Sequence, residues 1–462
     1  MDSEKNTPLN LSPGQTIELT VDDVAYGGDS VGKYQNLTVF MSYGVPGDKL
    51  LVKITEVKKN YAVAQIKEVL EQSPERFKAI CPYFTICGGC DWMNINYTEQ
   101  KKRKLKILNY SLEKTAEIKD LKAEVIQGYE NPLFYRDRAQ YKIFNDGKVL
   151  RIGFYRADTH EVVDIEKCYI VNDKINRIMG EIRTFLKAQK NLSVYAEDTG
   201  EGFLRHIAIR VNTKGDALVT IVASDGNLIA NEWVTDLKDK LKRMPDIKGI
   251  ILNINKARGN KIFGDREALL YGEAYITENY KGIDFRLGSD TFFQVNTNML
   301  SKMSEFIGKH LDRSEDKAVV DLYGGVGALS LPFYKKLKSI AVIEINRFSV
   351  EAVKKTALEY KMENVTAVVG DAEKAQATIL KRYKPCTLII DPPRKGMATS
   401  TIEAIKKSGI KNIIYISCNP STFSRDIALL KDVYELKEVE ALDLFPQTYH
   451  IEVLSRLELK LA

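Results

Sequence analysis

The chain lacks any apolar run near the roughly 18 residues that a membrane-crossing helix needs, so no transmembrane span is expected. Its opening residues, Met1-Asp2-Ser3-Glu4-Lys5, carry charge and no apolar core, which argues against a secretory signal. Cysteine is scarce: six in 462 residues cannot staple a disulfide scaffold. A reducing, cytoplasmic setting follows as the expectation. Internal repeats and low-complexity tracts are missing too, which removes solenoids and disordered arrays. What is present is an ordinary globular composition, 44% hydrophobic, with a net charge of +6 that suits nucleic acid without requiring it. A chain of this length is expected to divide into two or three domains.

Residues 1–10 are polar and expected to be disordered. Between 14 and 70 apolar and polar residues alternate in short runs: Thr16–Val21, Leu37–Phe40, Lys49–Ile54 and Tyr61–Ile66. Turn signals, Gly27-Gly28-Asp29 and Pro46-Gly47-Asp48, separate them, and the pattern predicts a small closed β-barrel. Residues 98–122 read as a helix whose opening run, Lys101-Lys102-Arg103-Lys104, is expected to be a solvated face. The block 133–290 mixes strands near 139–144, 149–155, 205–212, 217–223, 249–254 and 268–271 with helices near 171–189 and 230–243, an α+β pattern. From 298 onward helices and strands alternate, including strands at 318–322, 339–343, 365–369, 387–390 and 411–416 and a helix at 327–336. That alternation predicts a doubly wound, mainly parallel sheet, completed by terminal strands near 433–440 and 449–460. The expected units are therefore 10–72, 73–290 and 291–462, with helix 98–122 able to pack on the last.

Four cysteines stand apart. Cys81, Cys87 and Cys90 are spaced Cys-x5-Cys-x2-Cys, and Cys168 can complete a set of four. Four thiolates suit zinc or an iron–sulfur cluster, and the spacing does not choose between them.

A second constellation lies on the predicted parallel sheet. Asp321-Leu322-Tyr323-Gly324-Gly325-Val326-Gly327 follows one strand and permits a tight turn close to a cofactor. Glu344 ends the next strand, where an acid can accept both ribose hydroxyls, and Asp371 after the third can reach an adenine amine or cap a helix. This arrangement suits S-adenosylmethionine or a dinucleotide. Asp391-Pro392-Pro393 at the fourth strand tip favours methyl transfer.

Cys418, in Ser417-Cys418-Asn419-Pro420, ends a β-branched strand and precedes a helix. A helix N-terminus is expected to lower its thiol pKa, which suits a nucleophile. Glu452 lies in an apolar, strand-like stretch where burial would raise its pKa and fit it for proton transfer. Cys386 precedes its strand and so belongs to the opposite sheet edge, in a structural role. A thiol adding to C6 of uracil makes C5 nucleophilic, and a base then removes the C5 proton. Cytosine C5 methylation is disfavoured because only one cysteine lies on the catalytic edge. Amino-group methylation is disfavoured because Arg394 stands where an aromatic residue should follow Asp-Pro-Pro. A non-catalytic RNA-binding or chaperone protein with a methyltransferase-like domain remains the other class of reading.

With Asp290-Thr291-Phe292-Phe293-Gln294-Val295-Asn296 and His450-Ile451-Glu452, these motifs resemble the bacterial RNA uracil-5-methyltransferase family, in its TRAM-containing 23S rRNA branch, over roughly residues 14–460. The resemblance implies an OB-like TRAM barrel, a central α+β domain with a [4Fe–4S] cluster on Cys81, Cys87, Cys90 and Cys168, and a Rossmann-like class I methyltransferase domain. It implies that Gln294, Tyr323, Glu344 and Asp391 bind S-adenosylmethionine, that Cys418 is the nucleophile and that Glu452 is the base. Phe292 would lie near the target base. The implied partner is RNA, 23S rRNA ahead of tRNA, and the enzyme is expected to act as a monomer away from membranes.

Overall fold

A computed structural model describes residues 11–190, 192–226, 232–259, 261–311 and 317–460. The expectation for residues 1–10, and the start of the helix read at 230–243, lie outside them. Strands Thr16–Val24, Ser30–Tyr34, Leu37–Met41, Lys49–Val57 and Tyr61–Glu71 close into a barrel. Strict alternation turns Ile17, Leu19 and Val21 inward against Val39, Leu50, Val52 and Ile54. Closure leaves no unpaired sheet edge.

The central block forms a seven-stranded sheet in the order Arg266–Gly272, Ile247–Ile254, Ala217–Ala223, Leu204–Val211, Arg138–Asn145, Leu150–Tyr155, Val162–Asp164. Helix Asp173–Lys187 covers it with Ile175, Ile178, Met179, Ile182 and Leu186, the spacing of a single apolar face. Val162–Asp164 was not foreseen, because three residues are too few to show a period of two.

The third sheet has eight strands in the order Val365–Val369, Ser339–Glu344, Ala318–Leu322, Thr387–Ile390, Asn412–Ser417, Glu452–Leu459, Tyr434–Leu442, Ile126–Gln127. The first five run parallel, and Glu452–Leu459 is antiparallel to both its neighbours. A hairpin, Ile276–Tyr280 with Ile283–Leu287, packs with helix Thr297–Leu311 into the core beneath this sheet. The helix expected at 327–336 is a 3-10 helix, Leu331–Lys336. Gly327 has φ +80 and Pro332 removes a backbone donor, so an α-helix cannot start at the glycine turn. Among the described residues no helix is long and apolar enough to cross a membrane.

The helix expected at 98–122 is shorter. It runs Tyr97–Ser111, adds one π turn, Leu112–Ala116, and stops at Glu117, whose φ is +59. The chain must leave the helix axis there so that Ala123 and Ile126 can enter the catalytic core at the sheet edge. Its basic run is a solvated face only in part: Lys102 is exposed, whereas Arg103 and Lys104 are turned to protein partners. Lys104 is 0% exposed, and its Nζ donates to Asp443 Oδ1 at 2.7 Å and to the Phe445 carbonyl at 3.1 Å. Arg103 reaches Asp23 at 3.1 Å and Glu75 at 2.8 Å. Lys104→Ala would strand the Asp443 carboxylate in the interior, a loss expected to cost about 3–5 kcal/mol in urea unfolding. Unfolding at the wild-type midpoint would contradict that.

Candidate active site

Tyr323, Glu344, Asp371, Asp391 and Cys418 each end or follow one of the five parallel strands. All therefore meet at the carboxyl edge, where open α/β sheets hold their ligands. Tyr323 has φ +60, a left-handed backbone that is uncommon for a ring-bearing residue and clusters at functional turns. Gly324 follows because a Cβ there would stand 2.6 Å from Val342 Cγ1. The Glu344 carboxylate accepts the Gly325 N–H at 3.0 Å and the Asn346 N–H at 2.7 Å, which fixes it at the turn. A cavity of about 350 Å³ is lined by Tyr323, Glu344, Ile345, Asp371, Pro393 and Lys395. Ile345, 67% exposed, offers it an apolar face, a contribution the sequence reading missed. Asp371 also caps helix Ala372–Tyr383 by accepting the Glu373 N–H at 2.9 Å.

Gln294 Nε2 donates to Asp391 Oδ2 at 3.3 Å. The loop bearing Gln294 and Phe292 is anchored from below: Arg210 donates to the Thr291 carbonyl at 2.5 Å and to Thr291 Oγ1 at 3.1 Å. Phe292 remains 51% exposed beside the glycine turn.

Sheet register joins the other two groups. Ser417 pairs with Val453 in antiparallel register, so the next step puts Cys418 across from Glu452 on one face. Glu452 is 2% exposed. Burial first, and the Asp391 charge second, hold its carboxyl well above the usual range. The Cys418 thiol is pushed up to about 12 by burial, then by Glu452 and Asp391, with Arg394 opposing. The expected lowering by the helix N-terminus is absent for a visible reason. Asn419 Oδ1 accepts the first-turn N–H groups of Ser421 and Thr422 at 3.0 and 3.3 Å, so they face Asn419 instead of the thiol.

Asp391 is raised to about 7 by burial and then by Asp321, and Asp321 to about 7 by burial, with Ser330 opposing. A buried acid whose folded pKa is raised holds more protons folded than unfolded. Its favourable contribution is present below the unfolded pKa, near 3.8, and is lost as pH rises through 7. For Asp321 the span corresponds to roughly 4 kcal/mol. Asp321→Asn is therefore expected to flatten the decline in thermal stability between pH 4 and 7, measured by calorimetry. An unchanged pH slope would contradict it.

Arg394 beside His450, and Tyr26 edge-on to Tyr449, were unforeseen contacts near the site. Arg394 Nη2 lies 3.0 Å from His450 Nε2, and its carbonyl accepts Asn419 Nδ2–H at 3.0 Å. Burial and then Arg394 push His450 down to about 3, so it stays neutral. Arg394 was legible as part of the Asp391 run. Tyr26, from the barrel, was not.

Cys81, Cys87, Cys90 and Cys168 are all free thiols around one cavity of about 450 Å³, lined also by Tyr83, Phe84 and Phe154. Among the described residues no three ligating side chains converge closely enough for a single metal ion. Zinc would need all four sulfurs about 2.3 Å from one point. The four cysteines share a cavity wall, and the expected metal centre is not shown among the described residues. Cys386 is buried at the opposite strand end, where its thiol donates to the Ala318 carbonyl at 3.2 Å.

Comparison with known proteins bears on both ends of the chain. The model of the tRNA (uracil-5-)-methyltransferase family matches residues 96–459, and that of the TRAM domain matches residues 11–67. The chain is 33% identical to an uncharacterized RNA methyltransferase of Fusobacterium nucleatum, over 99% of this chain and 98% of the relative. A similar protein of Clostridium acetobutylicum is 33% identical over 98% of each. The crystal structure of the Pyrococcus abyssi tRNA (uracil-54, C5)-methyltransferase with S-adenosyl-L-homocysteine superimposes with a TM-score of 0.74 at 25% identity, covering 95% of this chain and 99% of that one. A five-stranded TRAM barrel followed by a methyltransferase sheet is the architecture seen here, and the chain belongs to the tRNA (uracil-5-)-methyltransferase family.

Proposed function

We propose that this protein methylates C5 of a uridine in structured RNA, using S-adenosylmethionine, and that the RNA is 23S rRNA. The Cys418–Glu452 pair, facing each other across two strands beside Asp391, carries the reading. The 350 Å³ cavity, with the Glu344 carboxylate and Tyr323 on its wall, fits the cofactor. Glu344 would accept the ribose hydroxyls and Asp371 the adenine amine, while Tyr323, Gln294 and Asp391 border the methyl-bearing end. Bound there, the cofactor supplies an electrophilic methyl group on a sulfonium.

The target uridine must leave its stack to reach the strand ends. Cys418 gives up its proton as Sγ bonds to C6, and the ring electrons shift toward C5 and O4. C5 would then take the methyl group, whose bond to the sulfonium breaks and leaves a neutral thioether. Glu452 removes the C5 proton, the electron pair restores the C5–C6 double bond, and the C6–Sγ bond breaks. Because burial favours the neutral Cys418 thiol, addition needs a proton acceptor, a role that Asp391 or Glu452 can fill only when ionised. The barrel, within 10–72, and the central unit, 73–290, would hold flanking RNA through phosphates and stacking, while 291–462 carries the chemistry, in a single subunit.

Transfer RNA is the second reading, favoured by the named substrate of the Pyrococcus abyssi enzyme. Mass-spectrometric mapping of 5-methyluridine in a deletion strain separates the two. Loss at a 23S rRNA site is expected. Loss only in tRNA would move the substrate, and loss in neither would remove the function.

Cys81, Cys87, Cys90 and Cys168 would hold a [4Fe–4S] cluster, tying the irregular segment around Cys81–Cys90 to the central sheet. Protein prepared without oxygen is expected to be brown with about four irons per chain, and Cys87→Ser to lose both colour and iron. A colourless, zinc-bearing wild type would contradict the cluster.

A further inference from the structure

We propose that Tyr26 of the N-terminal barrel forms a wall of the pocket that receives the flipped uracil, so that the barrel positions the base as well as holding RNA. The inference rests on Cys418 being the nucleophile toward that base.

The turn that carries Tyr26 is not a free loop of a tethered module. Ala25 N–H donates to the Asp29 carbonyl at 2.7 Å, closing the turn. Gly28 packs so tightly on Asp91 that a Cβ would stand 3.0 Å from it. The buried Trp92 indole donates to the Gly28 carbonyl at 2.9 Å. From there the connection runs straight into the active site. The Asp91 and Trp92 N–H groups both donate to the Gln447 carbonyl at 3.0 Å, and Tyr449 N–H donates to Asp91 Oδ2 at 3.3 Å. Tyr449 is followed within the same segment by His450 and Glu452. Val24 and Val45 of the barrel are buried in the core that also contains Tyr415, Ile451 and Val453, so an apolar contact backs the hydrogen bonds.

This anchoring delivers the Tyr26 ring edge-on to Tyr449, with centroids 5.2 Å apart and planes at 89°. Tyr449 in turn lies 4.2 Å from the His450 ring. The Tyr26 hydroxyl is close enough to feel the charges of both Cys418 and Arg394. An aromatic ring anchored beside the segment that carries Tyr449, His450 and Glu452 can offer what an unstacked base needs, a π face. Loss of such a face costs about ten- to a hundredfold in reaction with the base.

The test uses full-length protein, S-adenosylmethionine and 5-fluorouridine-substituted transcripts of 23S rRNA and of tRNA. Fluorine at C5 cannot leave as a proton does, so the covalent complex persists and its formation rate can be followed on denaturing gels. Tyr26→Ala and Tyr26→Leu are expected to slow adduct formation about ten- to a hundredfold, and Tyr26→Phe less than about threefold. Cofactor binding by calorimetry should not change. Tyr26→Leu keeps apolar bulk against the core, so it decides the matter if the alanine variant folds poorly. A leucine variant reacting at the wild-type rate would show that Tyr26 only braces the domains, and would overturn this inference alone. Absence of any adduct with the wild-type protein on either transcript would overturn the Cys418 reading together with it.

Discussion

Cys418→Ala is expected to leave no measurable methyl transfer, a loss of about 10⁴-fold or more, while S-adenosylmethionine still binds. The separation follows from the geometry. The cavity proposed for the cofactor is built from the ends of the strands at 318–322, 339–344 and 365–369 and the loop after Asp391, and Cys418 is not among its lining residues. Replacing its thiol by a methyl group disturbs no helix cap, because Asn419 provides the side-chain cap of Pro420–Leu430. Uracil C5 is too poor a nucleophile to attack an electrophilic methyl group without prior addition at C6, so no slower route at the same site compensates. Labelled-methyl incorporation and calorimetric titration read the two effects separately. Cys386→Ala, at the opposite sheet edge, should keep turnover. Retained turnover in the Cys418 variant would end the nucleophile assignment.

Glu452→Gln is expected to behave in the opposite way, accumulating a covalent protein–RNA complex that runs as a shifted band on denaturing gels. The amide keeps the shape of the side chain and can still accept a hydrogen bond, but it cannot take the C5 proton. Addition and methyl transfer then proceed, and elimination stalls. Burial sharpens the expectation, since a side chain 2% exposed leaves little room for water to replace the base. The same burial raises the Glu452 carboxyl, so its ionised fraction, and the elimination rate, should still be rising with pH above the usual carboxylate range. Adding Cys418→Ala to this variant should abolish the band. Normal product release without a band would remove Glu452 from the role of base.

Much of this site was legible because it depends on local pattern. Period-two runs marked the barrel, and alternating strands and helices marked the parallel sheet, whose strands at 365–369 and 387–390 begin and end where the pattern places them. Topology then carries Tyr323, Glu344, Asp371, Asp391 and Cys418 to one edge without further information. What the pattern could not supply was contact between distant segments. Lys104 looked like part of a solvated run, and the Asp443 carboxylate with the Phe445 carbonyl explains its burial. Arg394 facing His450 and Tyr26 facing Tyr449 join residues that no spacing rule connects. The direction of the Cys418 shift failed for a related reason. A helix N-terminus lowers a thiol pKa when its N–H groups face the thiol, whereas Asn419 accepts two of them and two carboxylates stand nearby. The Cys418–Glu452 pairing itself is a property of antiparallel register, set by the whole of strand Glu452–Leu459.

The chemistry turns on a carbon–sulfur bond between this protein and its RNA. Wild-type enzyme reacted with a 5-fluorouridine transcript and S-adenosylmethionine, digested with protease and nuclease, and sequenced by tandem mass spectrometry tests it most directly. A methylated fluorouridine nucleotide is expected on the peptide containing Ser417-Cys418-Asn419, at the sulfur of Cys418. A nucleotide on any other residue, or no cross-linked peptide, would contradict it.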